Sequence, residues 1–367
     1  MKSALKIAGI CAAALLLALG LLRYMFQPHY QAPVEPEELK TAKVVVGKGL
    51  FSKTSSYGNP NLGPITAIET APQDGLWIVG QRGATLLGND FSPLKTAQYS
   101  ECPYDVMRSA IGGGTFLCRR AGPWGGAGGT VLYDGEGKTV WSFSGGETAV
   151  YDAVSGALGE NAEQRVVVGL NGDGGVRLLD ENGKELWKQN DGNVWHVEII
   201  DDGEHAGNVI VHSNAGGGLT LRDASGKVLS QSKPETYVAD FSLTAWGTER
   251  KANKLLVKGP DTFYILSLDG KTIAHLAAPV AAGWDATPKA TPVQFRAGKP
   301  HYAALARYPM WDRSNLYIYD EQNQLVYNEV IGENCGAVSA LHGKKGSEDL
   351  LLGCNGNVWR YTLADHR

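Results

Sequence analysis

The sequence lacks the short motifs that usually identify an enzyme. It contains no GxSxG, no HExxH, no phosphate-binding loop and no GxGxxG leading into a helix. It also contains no CxxC, so a four-cysteine metal site is not indicated. Charge of one sign is not concentrated anywhere: 34 basic and 38 acidic residues leave a net charge of −4, which argues against a general affinity for nucleic acid. The sequence therefore offers no motif that identifies a catalytic set.

Convincing amphipathic helices are absent after about residue 40, where short strand-like runs dominate. The chain is instead rich in glycine, with 47 residues, and it uses Val, Leu, Trp and Tyr freely. Glycine supplies the positive φ angles that tight turns need, so this composition is typical of many short strands joined by turns. The expected fold class is all-β.

The amino-terminal segment has a different character. Lys2 and Lys6 precede an uncharged apolar stretch over residues 7–22, which continues beyond Arg23. Residues 7–26 together have about the 20 residues that a membrane-spanning helix needs. The two lysines favour a cytoplasmic amino terminus, with the rest of the chain across the membrane. We therefore predict one N-terminal transmembrane helix that acts as a signal anchor.

The predicted domains follow from this segment. Residues 1–26 are the anchor, residues 27–40 form a Pro- and Glu-rich linker, and the folded part spans residues 41–367. A cleaved signal peptide is the alternative for the first segment, because residues 18–20 resemble a small-residue cleavage site.

A recurring hairpin is the most informative pattern in the folded part. It occurs at residues 131–143, 176–189 and 219–232, more loosely at 263–276 and 316–329, and in degenerate form at 84–99. In the first three copies an apolar strand ends at Asp, and Gly-Lys follows three residues later. Asp accepts hydrogen bonds from the backbone of its own turn, and Gly adopts the positive φ of the reversal. The turn positions 137, 183, 226, 270 and 323 are 46, 43, 44 and 53 residues apart, which is the period of a four-stranded propeller blade.

The blade count follows from the two ends of the folded part. Residues 357–363 are the third strand of a blade with no strand after them, and residues 42–51 can supply its missing partner. Pairing the first strand with the last closes the ring and leaves no free sheet edge. Six complete blades and one shared blade predict a seven-bladed β-propeller closed by N- and C-terminal strands.

Four cysteines lie beyond the anchor: Cys102, Cys118, Cys335 and Cys354. In the blade frame, the first member of each pair lies just before an innermost strand and the second lies at the end of the next strand. These two points are adjacent in an antiparallel hairpin, so we predict the disulfides Cys102–Cys118 and Cys335–Cys354. Four buried reduced thiols are the alternative.

The hairpin, with Trp141 and Trp187 shortly after the Gly-Lys step, resembles the repeat of the quinoprotein-like (PQQ-like) β-propeller superfamily. The resemblance covers nearly all of residues 42–367. That superfamily includes quinone-dependent dehydrogenases, arylsulfotransferases and non-catalytic scaffolds such as the propeller subunit of the outer-membrane β-barrel assembly machinery. The resemblance therefore implies the fold and leaves the activity open. For a quinone-dependent member the resemblance implies PQQ and calcium as cofactors, whereas for a scaffold it implies none.

Candidate binding residues come from the loops that enter the innermost strands and leave the second strands, because these share one face of a propeller. Two of these loops, residues 119–130 and 307–314, are unusually long and combine Arg with Trp, as protein-binding hot spots and anion sites do. The candidate binding residues are Arg82, Arg119, Arg120, Trp124, Trp195, His196, Trp284, Arg307, Trp311 and Arg313. The alternative is that these loops only cover the channel and that the tryptophans pack between blades.

His196 is the one catalytic candidate, since the resemblance includes arylsulfotransferases that use a histidine at the propeller mouth. No second histidine occupies an equivalent place in a neighbouring blade, which favours a structural role. The expected function is a non-catalytic scaffold in the bacterial inner membrane, single-pass, with its propeller in the periplasm and a cell-envelope protein as partner. A quinoprotein-like or arylsulfotransferase-like enzyme acting on a small anion is the alternative, and a sensor of a small channel ligand is a third hypothesis.

Overall fold

A computed structural model describes residues 35–364 except 72–74, 101, 103–104, 113, 121–127, 247–251, 260, 280–286 and 344–345. The chain divides into two compact units, Met1–Pro36 and Glu37–Arg367, and the second holds nearly all described residues. The predicted membrane helix at 7–26 lies outside the described residues. Among those that are described, no helix is long and apolar enough to cross a membrane.

The second unit is an all-β propeller of seven antiparallel sheets. Two strands, β1 (Lys43–Val46) and β2 (Phe51–Gly58), precede the first complete blade. Blades 1 to 3 follow, and each is a meander of four consecutive strands. Their strands are β3 Ile65–Thr70, β4 Leu76–Gly80, β5 Gly83–Leu87 and β6 Pro93–Gln98; β7 Val106–Ser109, β8 Thr115–Arg120, β9 Gly129–Tyr133 and β10 Thr139–Ser144; β11 Val150–Leu158, β12 Glu163–Leu170, β13 Gly175–Leu179 and β14 Glu185–Gln189.

Blades 4 to 7 repeat this order, and blade 7 contributes only three strands of its own. The strands are β15 Val197–Ile200, β16 Val209–Ser213, β17 Leu219–Arg222 and β18 Val228–Ser232; β19 Phe241–Thr244, β20 Lys254–Lys258, β21 Thr262–Leu266 and β22 Thr272–Ala277; β23 Thr287–Arg296, β24 Lys299–Tyr308, β25 Arg313–Tyr319 and β26 Leu325–Ile331; β27 Ala337–His342, β28 Glu348–Gly353 and β29 Asn357–Leu363. Three short 3-10 turns are also described: Glu37–Leu39, Pro60–Leu62 and Pro309–Trp311.

The predicted turn chemistry is confirmed in the hairpins between third and fourth strands. The Asp180 carboxylate accepts hydrogen bonds from the backbone N–H of Asn182 and Lys184, both at 2.9 Å. The five turn positions have positive φ angles: Gly137 85°, Gly183 79°, Gly226 87°, Gly270 81° and Asn323 63°. A side chain at Gly183 would also meet the Trp141 ring at 2.7 Å. Each such turn therefore needs glycine or asparagine for its backbone, and the turn of blade 3 also packs against a tryptophan of blade 2.

The ring closes as predicted, but with a different strand from the one expected at 42–51. The closing strand is β2, which pairs with β29 from Phe51↔Leu363 to Gly58↔Asn357. The strand β1, which lies inside 42–51, instead pairs with β26 and forms a fifth, outer strand of blade 6. The chain therefore bridges the outer edges of blades 6 and 7 before the first complete blade begins.

The apolar core lies between neighbouring sheets. Phe263 of blade 5 meets Tyr317 of blade 6 edge-on at 5.3 Å, and Trp77 of blade 1 meets Phe116 of blade 2 at 5.5 Å. Leu39, at the end of the predicted linker, is fully buried in the cluster of blades 5 and 6. Burial of such side chains against the next blade makes the largest favourable contribution to the stability of a propeller.

Both predicted disulfides are present. Cys102 is joined to Cys118 and Cys335 to Cys354, and all four cysteines are fully buried. Each bond ties the segment that enters an innermost strand to the end of the second strand, in blade 2 and in blade 7.

Candidate functional site

The innermost strands of the seven blades surround a central cavity of about 270 Å³. Connections that enter these strands and leave the second strands lie on one side of the cavity, which we call the mouth face. Charged side chains from several blades share the lining with apolar ones, in contrast to the apolar interfaces between blades. A concave site with converging polar groups is the usual place for ligand binding or catalysis. The side chains of this cavity are therefore the first candidates for a functional site.

Six charged side chains meet at the mouth and form what we call the mouth cluster: Asp105, Arg119, Asp152, His196, Asp240 and Arg307. The Arg307 guanidinium reaches from blade 6 to the Asp105 carboxylate of blade 2, with Nη1 2.9 Å from Oδ1. Arg119 continues the chain of ion pairs, with nitrogens 3.5 Å from Asp105 Oδ2 and 3.5 Å from Asp152 Oδ1. Opposite charges therefore alternate across the mouth.

His196 completes the mouth cluster on blades 4 and 5. Its Nδ1 lies 2.7 Å from Asp152 Oδ2 and 3.2 Å from Asp240 Oδ1. Its Nε2 lies 3.4 Å from Glu198 Oε1, and its ring meets Phe241 edge-on at 4.4 Å. The ring is thus held by carboxylates on both nitrogens and by an aromatic neighbour.

The strand geometry explains why these residues meet. Asp105, His196 and Asp240 each lie one residue before an innermost strand, and Asp152 is the third residue of β11. Arg307 reaches blade 2 because Gly336 leaves space above blade 7. A Cβ at Gly336 would lie 2.9 Å from Arg307 Nη1 and 2.6 Å from the Ile65 carbonyl oxygen.

Burial and charge act in opposite directions on the mouth cluster. Burial alone would lower the pKa of His196, but Asp152 and Asp240 outweigh it and raise that pKa to about 10. Burial alone would raise the pKa of Asp105, yet Arg307 and Arg119 hold it well below its usual range. The pKa of Asp152 is also lowered, since His196 outweighs its burial. All of these groups are therefore charged at neutral pH.

Hydrogen bonds from side chains to backbone link neighbouring innermost strands below the mouth. Thr66 Oγ1 accepts from the Val106 N–H at 3.2 Å, and Asp152 Oδ2 accepts from the Val197 N–H at 3.0 Å. Ser242 Oγ accepts from the Ala290 N–H at 3.3 Å. These bonds satisfy amides on the inner edges of the strands, which have no partner strand across the channel.

The structure brings three of the predicted residues together, Arg119, His196 and Arg307, and places others apart. Trp195 stacks on Tyr151 at 4.4 Å on the mouth face. Of the remaining predicted residues that are described, none lines the cavity: Arg82 is exposed and donates to the Pro60 carbonyl, Trp311 is half-buried near Tyr308, and Arg313 donates to the Leu39 carbonyl. The Arg120 side chain, Trp124 and Trp284 lie outside the described residues.

The expectation of a long loop at 307–314 is wrong. Strand β24 runs to Tyr308 and β25 begins at Arg313, so four residues make the connection. Strands β23 and β24 span ten residues each and are the longest strands described.

Sequence reasoning missed the carboxylates that fix His196. Asp105, Asp152, His196 and Asp240 follow one another at steps of 47, 44 and 44 residues, close to the blade period. A charged residue recurring at the blade period near the start of the innermost strand was the signal that could have identified them.

The described residues do not suit the calcium that a quinone-dependent enzyme would need. Among them no group of His, Cys, Asp and Glu is arranged to hold a metal ion. The cavity carboxylates with the shortest contacts are already paired with arginine and histidine cations, which are poor neighbours for a divalent metal ion.

No protein-family model and no curated protein matches this sequence. Solved structures are similar in fold. BBS1N, solved in complex with ARL6DN, is 12% identical with a TM-score of 0.55 over 86% of this chain and 97% of that chain. Catalytically inactive virginiamycin B lyase from Staphylococcus aureus, solved with quinupristin, is 11% identical with a TM-score of 0.50 over 85% of this chain and 99% of that chain. BamB from Moraxella catarrhalis is 15% identical with a TM-score of 0.44 over 83% of this chain and 84% of that chain.

These identities show the fold alone. The chain is a seven-bladed β-propeller with distant structural matches that include both a lyase and a protein solved in a complex. Propellers have many functions, so similarity in fold does not identify the function of this chain.

Proposed function

We propose that this chain is a non-catalytic member of the quinoprotein-like propellers that binds a cell-envelope protein through its mouth face. Residues 7–26 anchor it in the bacterial inner membrane, with the propeller in the periplasm. The repeated Asp-x-x-Gly-Lys hairpins support the family, and the apolar amino-terminal segment supports the anchor. Two disulfides in the propeller suit an oxidising compartment.

The ion pairing of His196 is the observation that carries the non-catalytic part of the proposal. A general base must be unprotonated at the working pH, and an efficient general acid has a pKa near that pH. The carboxylates of Asp152 and Asp240 raise the pKa of His196 to about 10, so neither role suits it at neutral pH. Its place in a chain of ion pairs suits a structural cation.

The mouth face also presents side chains that suit protein binding. Tyr237 is 57% exposed and Met310 is 51% exposed, and the Tyr151–Trp195 stack lies on the same face. Tyrosine, tryptophan and methionine are enriched at protein interfaces. Tyr237 packs against Gly217, where a Cβ would meet its ring at 2.2 Å, so a side chain at position 217 would displace this ring.

Site-specific photo-crosslinking in native membranes tests the proposal. A photoreactive amino acid replaces Tyr237 or Met310 on the mouth face, and Leu186 or Ile273 on outer strands as matched controls of 46% and 47% exposure. We expect discrete adducts with one envelope protein from the mouth positions and none from the controls. Adducts from the outer strands alone, or no adducts from any position, would contradict a mouth-face partner.

A further inference from the structure

Phe91 occupies a turn position that is glycine or asparagine in blades 2 to 6. In the turn of blade 1, the Gly88 N–H donates to the Ser92 carbonyl and the Phe91 N–H donates to the Gly88 carbonyl, as in the other hairpins between third and fourth strands. Phe91 therefore corresponds to Gly183, and its φ is 63°. A side chain as bulky as phenylalanine rarely adopts this angle, which costs free energy. Such strain is concentrated at functional sites, which makes Phe91 a candidate ligand-binding residue.

Phe91 lines a groove of about 670 Å³ between blades 1 and 7. The groove lies on the face opposite the mouth, where the innermost strands end. Leu76, Leu341 and Phe91 give it an apolar side, and the last two are half-buried against the core cluster of these blades. Its volume equals that of roughly 22 water molecules at about 30 Å³ each. Pockets of this size that combine apolar walls with a few polar groups usually bind small molecules.

The charged groups of the groove are paired within the protein. Arg360 donates from Nε, at 2.8 Å, and from Nη2 to the same oxygen, Asp349 Oδ2. His342 lies 3.1 Å from Glu348. Asp349 Oδ1 and Arg360 Nη1 make no hydrogen bond within the part of the chain that the structure describes. One acceptor and one donor of this ion pair therefore remain for a ligand, and an uncharged ligand suits them because no charge is left over.

We propose that the groove binds a small uncharged compound with a ring body and an amide head group. Phe91 and Leu341 contact the ring. Asp349 Oδ1 accepts a hydrogen bond from the amide NH₂, and Arg360 Nη1 donates to the amide oxygen. A carboxylate in place of the amide would face Asp349, and an ammonium would face Arg360, so both charged analogues fit less well. This inference does not depend on the protein partner proposed above, because the groove lies on the opposite face.

Equilibrium dialysis of 2-naphthamide against the full chain in detergent tests the groove. Binding to protein-free detergent is subtracted. We expect saturable binding of one molecule per chain, with a Kd of about 1 mM or lower. The anionic analogue 2-naphthoate and the cationic analogue 2-naphthylmethylammonium should each bind at least about fivefold more weakly.

Phe91→Gly gives the turn of blade 1 the residue that blades 2 to 5 have. It removes one wall of the groove, so we expect binding about tenfold weaker. The Tm should change by less than about 3 °C, because relief of backbone strain offsets the lost apolar contact. Phe91→Tyr keeps the ring and should keep the Kd within about twofold. Asn323→Gly changes the same turn position in blade 6, away from the groove, and should leave the Kd unchanged.

Three results would overturn the proposal. The first is no saturable binding of 2-naphthamide above that of detergent. The second is an unchanged Kd in Phe91→Gly, which would leave the ring as a cover for the apolar core alone. The third is tighter binding of either charged analogue, which would assign the wrong class of ligand. If circular dichroism shows that Phe91→Gly does not fold, Ala71→Phe replaces it, since it narrows the groove from blade 1 and should weaken binding likewise.

Discussion

Burial and neighbouring charge have opposite effects on the pKa of His196. It is 8% exposed, and burial of an imidazole in a protein usually keeps it neutral. Two carboxylates within 3.2 Å of one ring nitrogen reverse that preference. The proton on His196 is therefore part of the folded structure, and removing it leaves Asp152 and Asp240 facing each other without a shared cation.

The stabilisation from His196 should depend on pH. Its pKa is about 10 in the folded chain, against roughly 6.5 when unfolded. Its ion pairs therefore stabilise the fold fully below about pH 6.5, and this contribution is lost as the pH rises towards 10. We expect His196→Gln to lower the free energy of unfolding by about 3 kcal/mol at pH 6, and by progressively less up to pH 10.

Urea unfolding of the wild type and the variant at pH 6, 8 and 10 measures this difference. His275→Gln is the matched control, because His275 is 60% exposed and pairs with Glu235 at the surface. It should change the free energy of unfolding by less than about 0.5 kcal/mol at each pH. A difference for His196→Gln that stays constant with pH would show that the ring contributes only packing.

At the scale of single elements, the hairpin turns are specified by local chemistry. Asp180 accepts two backbone hydrogen bonds from its own turn, and the same arrangement recurs at Asp134, Asp223 and Asp320. The side-chain acceptor, the glycine or asparagine with positive φ and the backbone amides that donate to the acceptor all lie within five residues. This is why the hairpins could be predicted from the sequence.

Asp180→Ala should weaken the turn of blade 3. It removes the acceptor of the Asn182 and Lys184 amides, so we expect a loss of about 1–2 kcal/mol in the free energy of unfolding, measured with denaturant. Asp180→Asn keeps an oxygen in the same place and should recover most of the loss. Equal losses in the two variants would mean that the charge, and not the hydrogen bonds, stabilises the turn.

The closing strand could not be located from its own sequence. Residues 51–58 read FSKTSSYG, and most of their side chains are exposed because β2 is the outermost strand of its blade. Such a strand has no alternation of apolar and polar residues to detect. The more apolar run in β1 is the better candidate by sequence, although β1 is itself an outer strand on blade 6.

At the scale of the whole molecule, blade order and count could be predicted, because a repeat of fixed period constrains every copy at once. The mouth cluster could be predicted only in part. Arg119, His196 and Arg307 stand out by residue type, whereas Asp105, Asp152 and Asp240 are single carboxylates in different blades with no motif around them. Only the closed ring brings these six side chains into one chain of ion pairs.

Lys53 should contribute to ring closure. It lies on the closing strand, 2.9 Å from Glu329 of blade 6 and over the Trp359 ring of blade 7 at 4.9 Å. Glu329 is 9% exposed and also accepts from the Tyr361 hydroxyl at 2.7 Å. We expect Lys53→Met to lower the free energy of unfolding by about 2 kcal/mol, because it leaves a buried carboxylate without a cation.

A double-mutant cycle with Glu329→Gln isolates the pair. The second change should cost less in the Lys53→Met background than in the wild type, with a coupling energy of about 1 kcal/mol or more by chemical denaturation. A coupling energy near zero would show that the two side chains act independently and that β2 is held by its backbone pairing with β29 alone.

Arg307 changes how this ring can come apart. In an array of similar modules, each module contacts only its two neighbours. Local unfolding therefore spreads from one module to the next around the ring. The Arg307–Asp105 contact joins blade 6 to blade 2 directly, past the two blades between them. Local unfolding of blade 6 or blade 2 therefore removes an ion pair that also stabilises the other blade. Gly336 makes room for Arg307, so it affects the coupling of two blades to which it does not belong.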